Sequence, residues 1–340
     1  MTIAERNPIA PGNRVVCAEA HPNVALVKYW GKRDRRLNLP SVGSISLTLD
    51  TLRTRVSVRF ANRGTDEFST NGRAAPPGAF EQLHEYLQFV RTLAGRSEPL
   101  LIETHSNFPV AAGLASSASM FAALAVALNE FYGLALAPHE LTALARRGSG
   151  SAARSIFGGF VEWHRGTAPD GSDSVAEPLA PAEAWPLGVV VAITDVQPKS
   201  VSSRNGMEHA ATSPFFPLWV SGQEADLASA RAAIANRDLE ALGYIAEQNC
   251  LKMHAVAWTS TPPLLYWRPA TLAAIETVRA LRSAGVPAYF TIDAGPQVKV
   301  LCPLEHRERV AAALQETPGI VQVLLSRPGS GARLLSEAGT

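Results

Sequence analysis

The chain is poor in the features that mark secreted, membrane-bound or nucleic-acid-binding proteins. Three cysteines, Cys17, Cys250 and Cys302, occur in 340 residues. They are far apart and odd in number, so they form neither a disulfide framework nor a zinc-ligand spacing. A reducing cytoplasm is the expected setting. No charge of one sign is in excess: 31 Lys and Arg against 30 Asp and Glu leave a formal net charge of +1. That balance excludes binding to nucleic acid through an overall positive field, although not a local basic pocket. No apolar run approaches the roughly 18 residues of a membrane span. The longest obvious candidate, Ala122 to Leu128, stops at Asn129 and Glu130. Met1 to Arg14 holds Glu5, Arg6 and two prolines, lacks an apolar signal core, and reads as a flexible lead-in. A soluble cytoplasmic protein is expected, with no membrane and no nucleic-acid partner.

What the chain does have is an ordinary globular balance. Hydrophobic residues are 46% and charged residues 18%, enough for a substantial core and too apolar for disorder. The length suggests two domains or one large one. Val15–Ala20, Val24–Tyr29, Ser44–Leu49, Arg53–Phe60 and Leu100–His105 read as strands. Asn71-Gly72 is a hairpin-type turn. Ala79–Ala94 is helical with Gly95 at its C-cap, and Ser116–Tyr132 and Pro138–Arg147 are helical too. Thr167–Pro181, rich in Pro, Asp, Ser and Gly, reads as a surface loop. Beyond it, Gly188–Thr194, Ala288–Ile292, Val298–Leu301 and Val321–Leu325 are strands. Glu224–Asn236, Asp238–Ala257, Pro269–Ala284 and Arg307–Gln315 are helices. Strands and helices mix without regular βαβ alternation, which predicts an α+β fold. The boundary falls near residue 185, giving domains 1–185 and 186–340.

Five segments carry chemistry. Pro109-Val-Ala-Ala-Gly-Leu-Ala-Ser-Ser-Ala-Ser119 follows a strand and opens a helix. Gly113 permits close backbone approach, the helix N-terminus favours anions, and Ser116, Ser117 and Ser119 add hydroxyls. Such a segment is either a triphosphate cradle or a capped core helix; no Walker lysine follows. Gly148-Ser-Gly-Ser-Ala-Ala-Arg154 is either an anion-binding concavity or a flexible turn with a surface arginine. Lys28-Tyr-Trp-Gly-Lys-Arg-Asp34 packs three cations at a strand end, suited to phosphates or simply solvated. Thr291-Ile-Asp-Ala-Gly-Pro296 presents Asp293 as a general base or as an Asp that caps its own turn. Lys199–Met207 is a polar, mobile substrate loop or a linker. His21, His105 and His254 are expected to serve packing or a hydrogen bond.

Together these segments resemble the mevalonate diphosphate decarboxylases of the GHMP kinase superfamily, over roughly Val15 to Leu335. The resemblance is carried by Asn23-Val-Ala-Leu-Val-Lys-Tyr-Trp-Gly-Lys-Arg-Asp34, Asn107-Phe-Pro-Val-Ala-Ala-Gly-Leu-Ala-Ser-Ser-Ala118, Gly148-Ser-Gly-Ser-Ala-Ala-Arg-Ser-Ile-Phe-Gly-Gly-Phe160 and Asp293-Ala-Gly-Pro296. It implies a two-domain GHMP kinase-like fold with the active site in the interdomain cleft. It also implies ATP and magnesium, a homodimer, and ATP-dependent decarboxylation of 5-diphosphomevalonate to isopentenyl diphosphate. The alternative is a phosphomevalonate decarboxylase or mevalonate 3-kinase acting on fewer phosphates.

The resemblance also implies roles. Asp293 orients the C3 hydroxyl and takes its proton, Lys28 stabilises the phosphoryl group, Arg154 holds the substrate carboxylate, and Ser117 meets the γ-phosphate. Tyr29, Trp30, Gly31, Lys32, Ser149, Gly150, Ser151, Ala152, Ala153, Arg204 and Met207 line the substrate pocket. Asn107, Pro109, Gly113, Leu114, Ala115, Ser116 and Ser119 serve the nucleotide, and no dedicated metal ligand set is expected. Three departures stand out: Ser41-Val42-Gly43 after Pro40, Gln297 after the Gly-Pro turn, and no arginine in Ala79–His84, Arg73 being the nearest.

Overall fold

The computed structural model describes residues 14–108, 116–197 and 201–336. The first half runs β1 (Val16–Ala20), β2 (Asn23–Val27), β3 (Lys32–Asp34), β4 (Leu39–Pro40), β5 (Ser44–Thr48), β6 (Thr54–Phe60), β7 (Glu67–Thr70), β8 (Arg73–Ala74), α1 (Pro77–Ala94), β9 (Leu100–Ser106), α2 (Ser116–Phe131), α3 (Pro138–Gly148), α4 (Ala152–Ser155), β10 (Phe160–Trp163) and β11 (Ala176–Ala180). The second half runs β12 (Leu187–Ile193), α5 (Ser203–His209), α6 (Phe216–Asn236), α7 (Leu239–Trp258), α8 (Pro269–Ser283), β13 (Tyr289–Ile292), β14 (Val298–Pro303), α9 (Arg307–Gln315), β15 (Gln322–Ser326) and β16 (Arg333–Leu334).

Three main sheets result, in the orders β16-β1-β6-β9-β7-β8, β11-β10-β5-β2 and β13-β14-β12-β15. The first sheet buries its apolar face under α1, α2 and α3. Four alanines of α2 are buried there, so the helix lies close against β1 and β6. The second sheet joins the third through one continuous core. Val24, Leu26, Ile45 and Leu47 pack with Val189, Val191, Ile193 and Leu227. The other face of the third sheet is covered by α8 and α9. The chain then returns to the first sheet, where β16 pairs with β1 through Ala18–Leu334 and Glu19–Arg333. That return passes so close to Gly158 that a Cβ there would sit 2.7 Å from the Gly329 carbonyl oxygen.

Most expected elements are present, including the turn at Asn71 and Gly72, both at positive φ (49° and 74°), as a two-residue hairpin turn requires. Three expectations are corrected. The loop Thr167–Pro181 contains the edge strand β11, whose Pro178 sits opposite Val161 beside a register shift, a position that tolerates a missing N–H. Helix α6 begins at Phe216, eight residues before Glu224. Pro217 occupies the first turn, where its lost donor costs nothing, and Gly222 does not break the helix. Residues 203–209 form helix α5, capped by Ser202 Oγ accepting from Asn205 N. Lys199 lies outside the described residues.

Candidate active site

Strand β2 runs fully buried into the cleft and delivers Lys28 at its end. The backbone there is clamped from the second half. Lys28 N donates to Asn249 Oδ1 of α7 at 2.6 Å, and Gln223 Nε2 of α6 donates to Lys28 O at 2.8 Å. Two residues on, Trp219 Nε1 donates to Trp30 O at 3.0 Å. Asp293 arrives from the opposite side, directly after β13. Lys28 Nζ donates to Ala25 O at 2.8 Å and to Asp293 Oδ1 at 2.7 Å. Lys299, on β14, places Nζ 3.1 Å from Asp293 Oδ2. Burial alone would raise the Asp293 pKa, but the two ammonium groups outweigh it and hold the carboxyl well below the usual carboxylate range. The Lys28 side chain is 1% exposed, whereas Asp293 is 24% exposed and faces the cavity.

Arg154 is presented by α4, just after the Gly-Ser turn. It is 2% exposed. Its Nη1 donates to Ser44 Oγ, its Nη2 donates to Asn23 Oδ1 at 3.2 Å, and its Nε has no partner among the described residues. Asn23 is itself fixed, donating to Ser151 O and Ser155 Oγ. Among the described residues no carboxylate forms an ion pair with Arg154. Burial pulls its pKa down to about 10, with Asp293 and Tyr29 opposing. A cation buried without a protein counter-ion calls for an anionic ligand.

Lys28, Asp293 and Arg154 border a cavity of about 800 Å3. Tyr29, Trp30 and Lys32 line it from the strand end, and Ser149, Gly150 and Ser151 from the turn. Ser116 and Ser117 line it from the start of α2, and Arg204 and Met207 from α5. The hydroxyls form a chain: Ser117 Oγ is 3.2 Å from Ser149 Oγ, which is 3.4 Å from Ser151 Oγ. Tyr29 stacks edge-on to Trp163 at 4.7 Å, and its buried hydroxyl has no partner among the described residues. Gly150 is required beside it, because a Cβ there would lie 2.7 Å from the Tyr29 ring. Lys32 is pulled down to about 8, first by burial and then by Arg204. Arg204 meets Glu85 of α1 at 3.7 Å across the cavity mouth.

Other expected residues stand away from the cavity lining. Gly31, at φ +90°, accommodates the Phe216 ring, and Ala152 and Ala153 are buried within α4. Asn107 braces a turn through Arg53 N and Thr51 O, and Ser119 bonds Thr54 Oγ1. Pro109, Gly113, Leu114 and Ala115 lie outside the described residues. Arg73 is exposed on β8, and Gln297 ties its turn to β12 by accepting from Thr194 N at 2.6 Å. His21 bonds Leu52 O and His254 packs against Ile292 O, as expected of packing histidines. The sequence reading missed Lys299, Gln223, Asn249, Glu81 and Glu85. A lysine inside the apolar strand Val298-Lys-Val-Leu-Cys302 was the one signal available. A second groove, about 780 Å3, lies between β11 and the C-terminal return. It is mostly apolar, and its Asp50 and Arg327 pair with each other at 2.7 Å, so the convergent polar groups belong to the cleft.

Comparison with known proteins matches this layout. Residues 20–176 match the model of the diphosphomevalonate decarboxylase-like N-terminal domain, and residues 189–324 that of the mevalonate 5-diphosphate decarboxylase C-terminal domain. The chain belongs to the diphosphomevalonate decarboxylase family. A diphosphomevalonate decarboxylase of Ganoderma lucidum is 37% identical over 319 residues, covering 86% of this chain and 79% of the relative. A solved structure of MDDEF in complex with MVAPP, AMPPCP and magnesium superposes with a TM-score of 0.89 at 40% identity, covering 95% of this chain and 99% of that one. The mevalonate diphosphate decarboxylase of Enterococcus faecalis, solved to describe mevalonate diphosphate-mediated ATP binding, gives 0.87 at 40% identity, with coverages of 95% and 99%. The two-domain GHMP kinase-like α+β fold expected of the sequence is the fold of the family. Among the described residues no helix is long and apolar enough to cross a membrane.

Proposed function

We propose that the chain is an ATP-dependent decarboxylase of 5-diphosphomevalonate, yielding isopentenyl diphosphate, carbon dioxide, ADP and phosphate. The observation that carries this reading is the pairing, on one cavity, of a carboxylate held by two lysines with a buried arginine that has no ion-pair partner among the described residues. The substrate carboxylate supplies the missing anion for Arg154 through bidentate hydrogen bonds. Asp293 orients the C3 hydroxyl and takes its proton. Lys28 offers positive charge where the transferring phosphoryl group gathers negative charge. The hydroxyl is a poor leaving group and phosphate a good one. Once O3 is phosphorylated, the C3–O bond breaks toward phosphate, and the electrons of the C–carboxylate bond form the new double bond as carbon dioxide departs.

The donor set at the start of α2 fits a triphosphate and its magnesium. Ser116 and Ser117 offer hydroxyl oxygens beside a helix N-terminus, and such a metal needs few protein ligands when phosphates and water supply the rest. When bound, ATP and magnesium supply the phosphoryl group and its charge neutralisation. Lys32 and Arg204 grip the phosphate end of the substrate, and Tyr29, Trp30 and Met207 pack its hydrocarbon. The homodimer and the cytoplasmic setting remain part of this reading, the latter supported by the free thiols of Cys17, Cys250 and Cys302.

The test is an assay with purified protein, ATP and magnesium that follows both ADP and carbon dioxide. It compares mevalonate, 5-phosphomevalonate and 5-diphosphomevalonate. Equal ADP and carbon dioxide with preference for the diphosphate is expected. Preference for the monophosphate, or ADP without carbon dioxide, overturns the reading.

A further inference from the structure

We infer that Lys299 is a positioning residue that works through Asp293, fixing the plane of the carboxylate so that Lys28 keeps one N–H for the substrate. The inference rests on the proposed reaction. Lys299 sits mid-strand on β14, directly opposite Thr291 of β13, between the buried Val298 and Val300. Its side chain is 3% exposed. Packing alone gives no reason for this choice, because a methionine fills nearly the same volume without a buried charge.

The groups around Asp293 come from four elements, and few of them are charged. From α7, Cys250 exchanges hydrogen bonds with Ile292, and His254 faces the Ile292 carbonyl. Burial pushes the Cys250 thiol up to about 11 and pulls His254 down to about 3, so both are neutral at physiological pH. The charged groups in contact with it are Lys28 from the end of β2 and Lys299 from β14, while Arg154 from α4 feels its charge without forming an ion pair. The two lysines hold it, Lys28 at Oδ1, 2.7 Å away, and Lys299 at Oδ2, 3.1 Å away.

The division of labour follows from donor counting. An ammonium has three N–H donors. Lys28 spends one on Ala25 O and one on Asp293 Oδ1, which leaves the third for a ligand. With Oδ2 held in the 3.1 Å ion pair with Lys299, turning the carboxylate toward a second bond from Lys28 would cost that contact. Without Lys299, rotation about the Cβ–Cγ bond would let Oδ2 compete for that third donor, and both the hydroxyl acceptor and the phosphoryl donor would lose their aim.

The test is a cycle of Lys299→Met and Asp293→Asn, read by kinetics and by thermal unfolding of the full chain. Lys299→Met is expected to lower kcat by about 10²-fold, the scale of a misaimed reacting group, with both KM values within about threefold. In the Asp293→Asn background it should add less than about threefold, because Lys299 acts through that carboxylate. Asp293→Asn alone should lower Tm, since two buried ammonium groups lose their counter-charge, and adding Lys299→Met should raise Tm again. Lys299→Gln provides a second neutral variant if the methionine does not fold. Folding of the double variant where both single neutral variants fail also supports the pair. Equal kinetic losses in both backgrounds, no recovery of Tm in the double variant, or failure of every Lys299 variant to fold would overturn the inference. The thermal cycle needs no substrate, so it stands apart from any failure of the proposed reaction.

Discussion

If Lys32 grips the substrate phosphates as proposed, that grip is sensitive to pH in an accessible range. It stands on β3, where burial, Arg204 and Arg35 pull its ammonium down to about 8 and Glu208 only partly opposes them. The cation is therefore dominant below that pH and the neutral amine above it. One unit below the pKa about nine-tenths of the free enzyme carries the charge, and one unit above only about one-tenth does. A phosphorylated substrate that engages only the cationic form sees its affinity reduced by the competent fraction. Its KM should thus rise about tenfold between pH 7 and pH 9. The substrate phosphates contribute little to the slope, because their second ionisation, near pH 6, is complete over that range.

The assay is initial-rate kinetics at saturating ATP and magnesium across that range, fitting kcat and KM separately. KM for 5-diphosphomevalonate should climb while kcat stays nearly flat. Lys32→Arg keeps a charge that does not titrate, so its KM should be low and level. Lys32→Met should give a raised KM that is equally level. A wild-type KM that stays constant over these pH values, or the same slope in Lys32→Arg, would refute the assignment of Lys32 to the phosphate end.

Other perturbations separate the remaining parts of the cleft. Arg154→Ala removes the buried cation proposed to hold the substrate carboxylate and should cut kcat/KM by about 10²–10³-fold; an unchanged specificity constant removes Arg154 from the site. Glu85→Gln releases Arg204 from its 3.7 Å partner across the mouth and should lower KM for the phosphorylated substrate by a few-fold at low salt, an effect that 0.5 M salt, as a rough screening level, should erase. Gly148→Ala would place a Cβ 2.0 Å from Phe121 Cδ1 in the α2–α3 contact. Denaturant unfolding should record a loss of about 1–3 kcal/mol, and an unchanged midpoint would mean that Phe121 moves aside freely.

Some of this molecule was legible in the linear chain, and the division follows interaction range. Lys28, Asp293 and Arg154 each end or follow a local element whose residues declare it: an apolar run, a Gly-Pro turn, a Gly-Ser turn. The groups that hold them are remote. Gln223 and Asn249 reach Lys28 from α6 and α7, 195 and 221 residues away in sequence. Neither side chain has a neighbour in sequence that marks it. Helix α5 has no signal in the sequence, because its polar residues Ser203, Arg204 and Asn205 carry no helical apolar stripe. Its packing comes instead from the aromatic cluster of Trp30 and Tyr266, which only the fold assembles. Gln223 was missed for a second reason, since Pro217 and Gly222 delayed the expected start of α6.

The same long-range bonds assign different mechanical characters to the two ends of the cavity. At the deep end the carrier of Lys28 is held on both sides of one residue, N–H by Asn249 and C=O by Gln223, and Gln223 Nε2 also donates to Gly43 O at 3.0 Å. Asn249 in turn donates to Gln223 Oε1 at 3.0 Å and to Asp226 Oδ2 at 2.7 Å, so the clamp is itself braced. At the mouth, Lys32 and Arg204 sit on the short elements β3 and α5, and among the described residues Arg204 meets Glu85 through a long ion pair between exposed side chains, a contact worth little in water. A rigid seam suits a reaction that needs its carboxylate and ammonium aimed within a fraction of an ångström. A loosely tied rim suits a highly charged substrate that must enter and whose product must leave. Weakening the seam, for instance by Asn249→Leu, should therefore fall mainly on kcat, whereas weakening the rim should fall mainly on KM. A seam variant that changed KM alone would show that the deep end is not the rigid part.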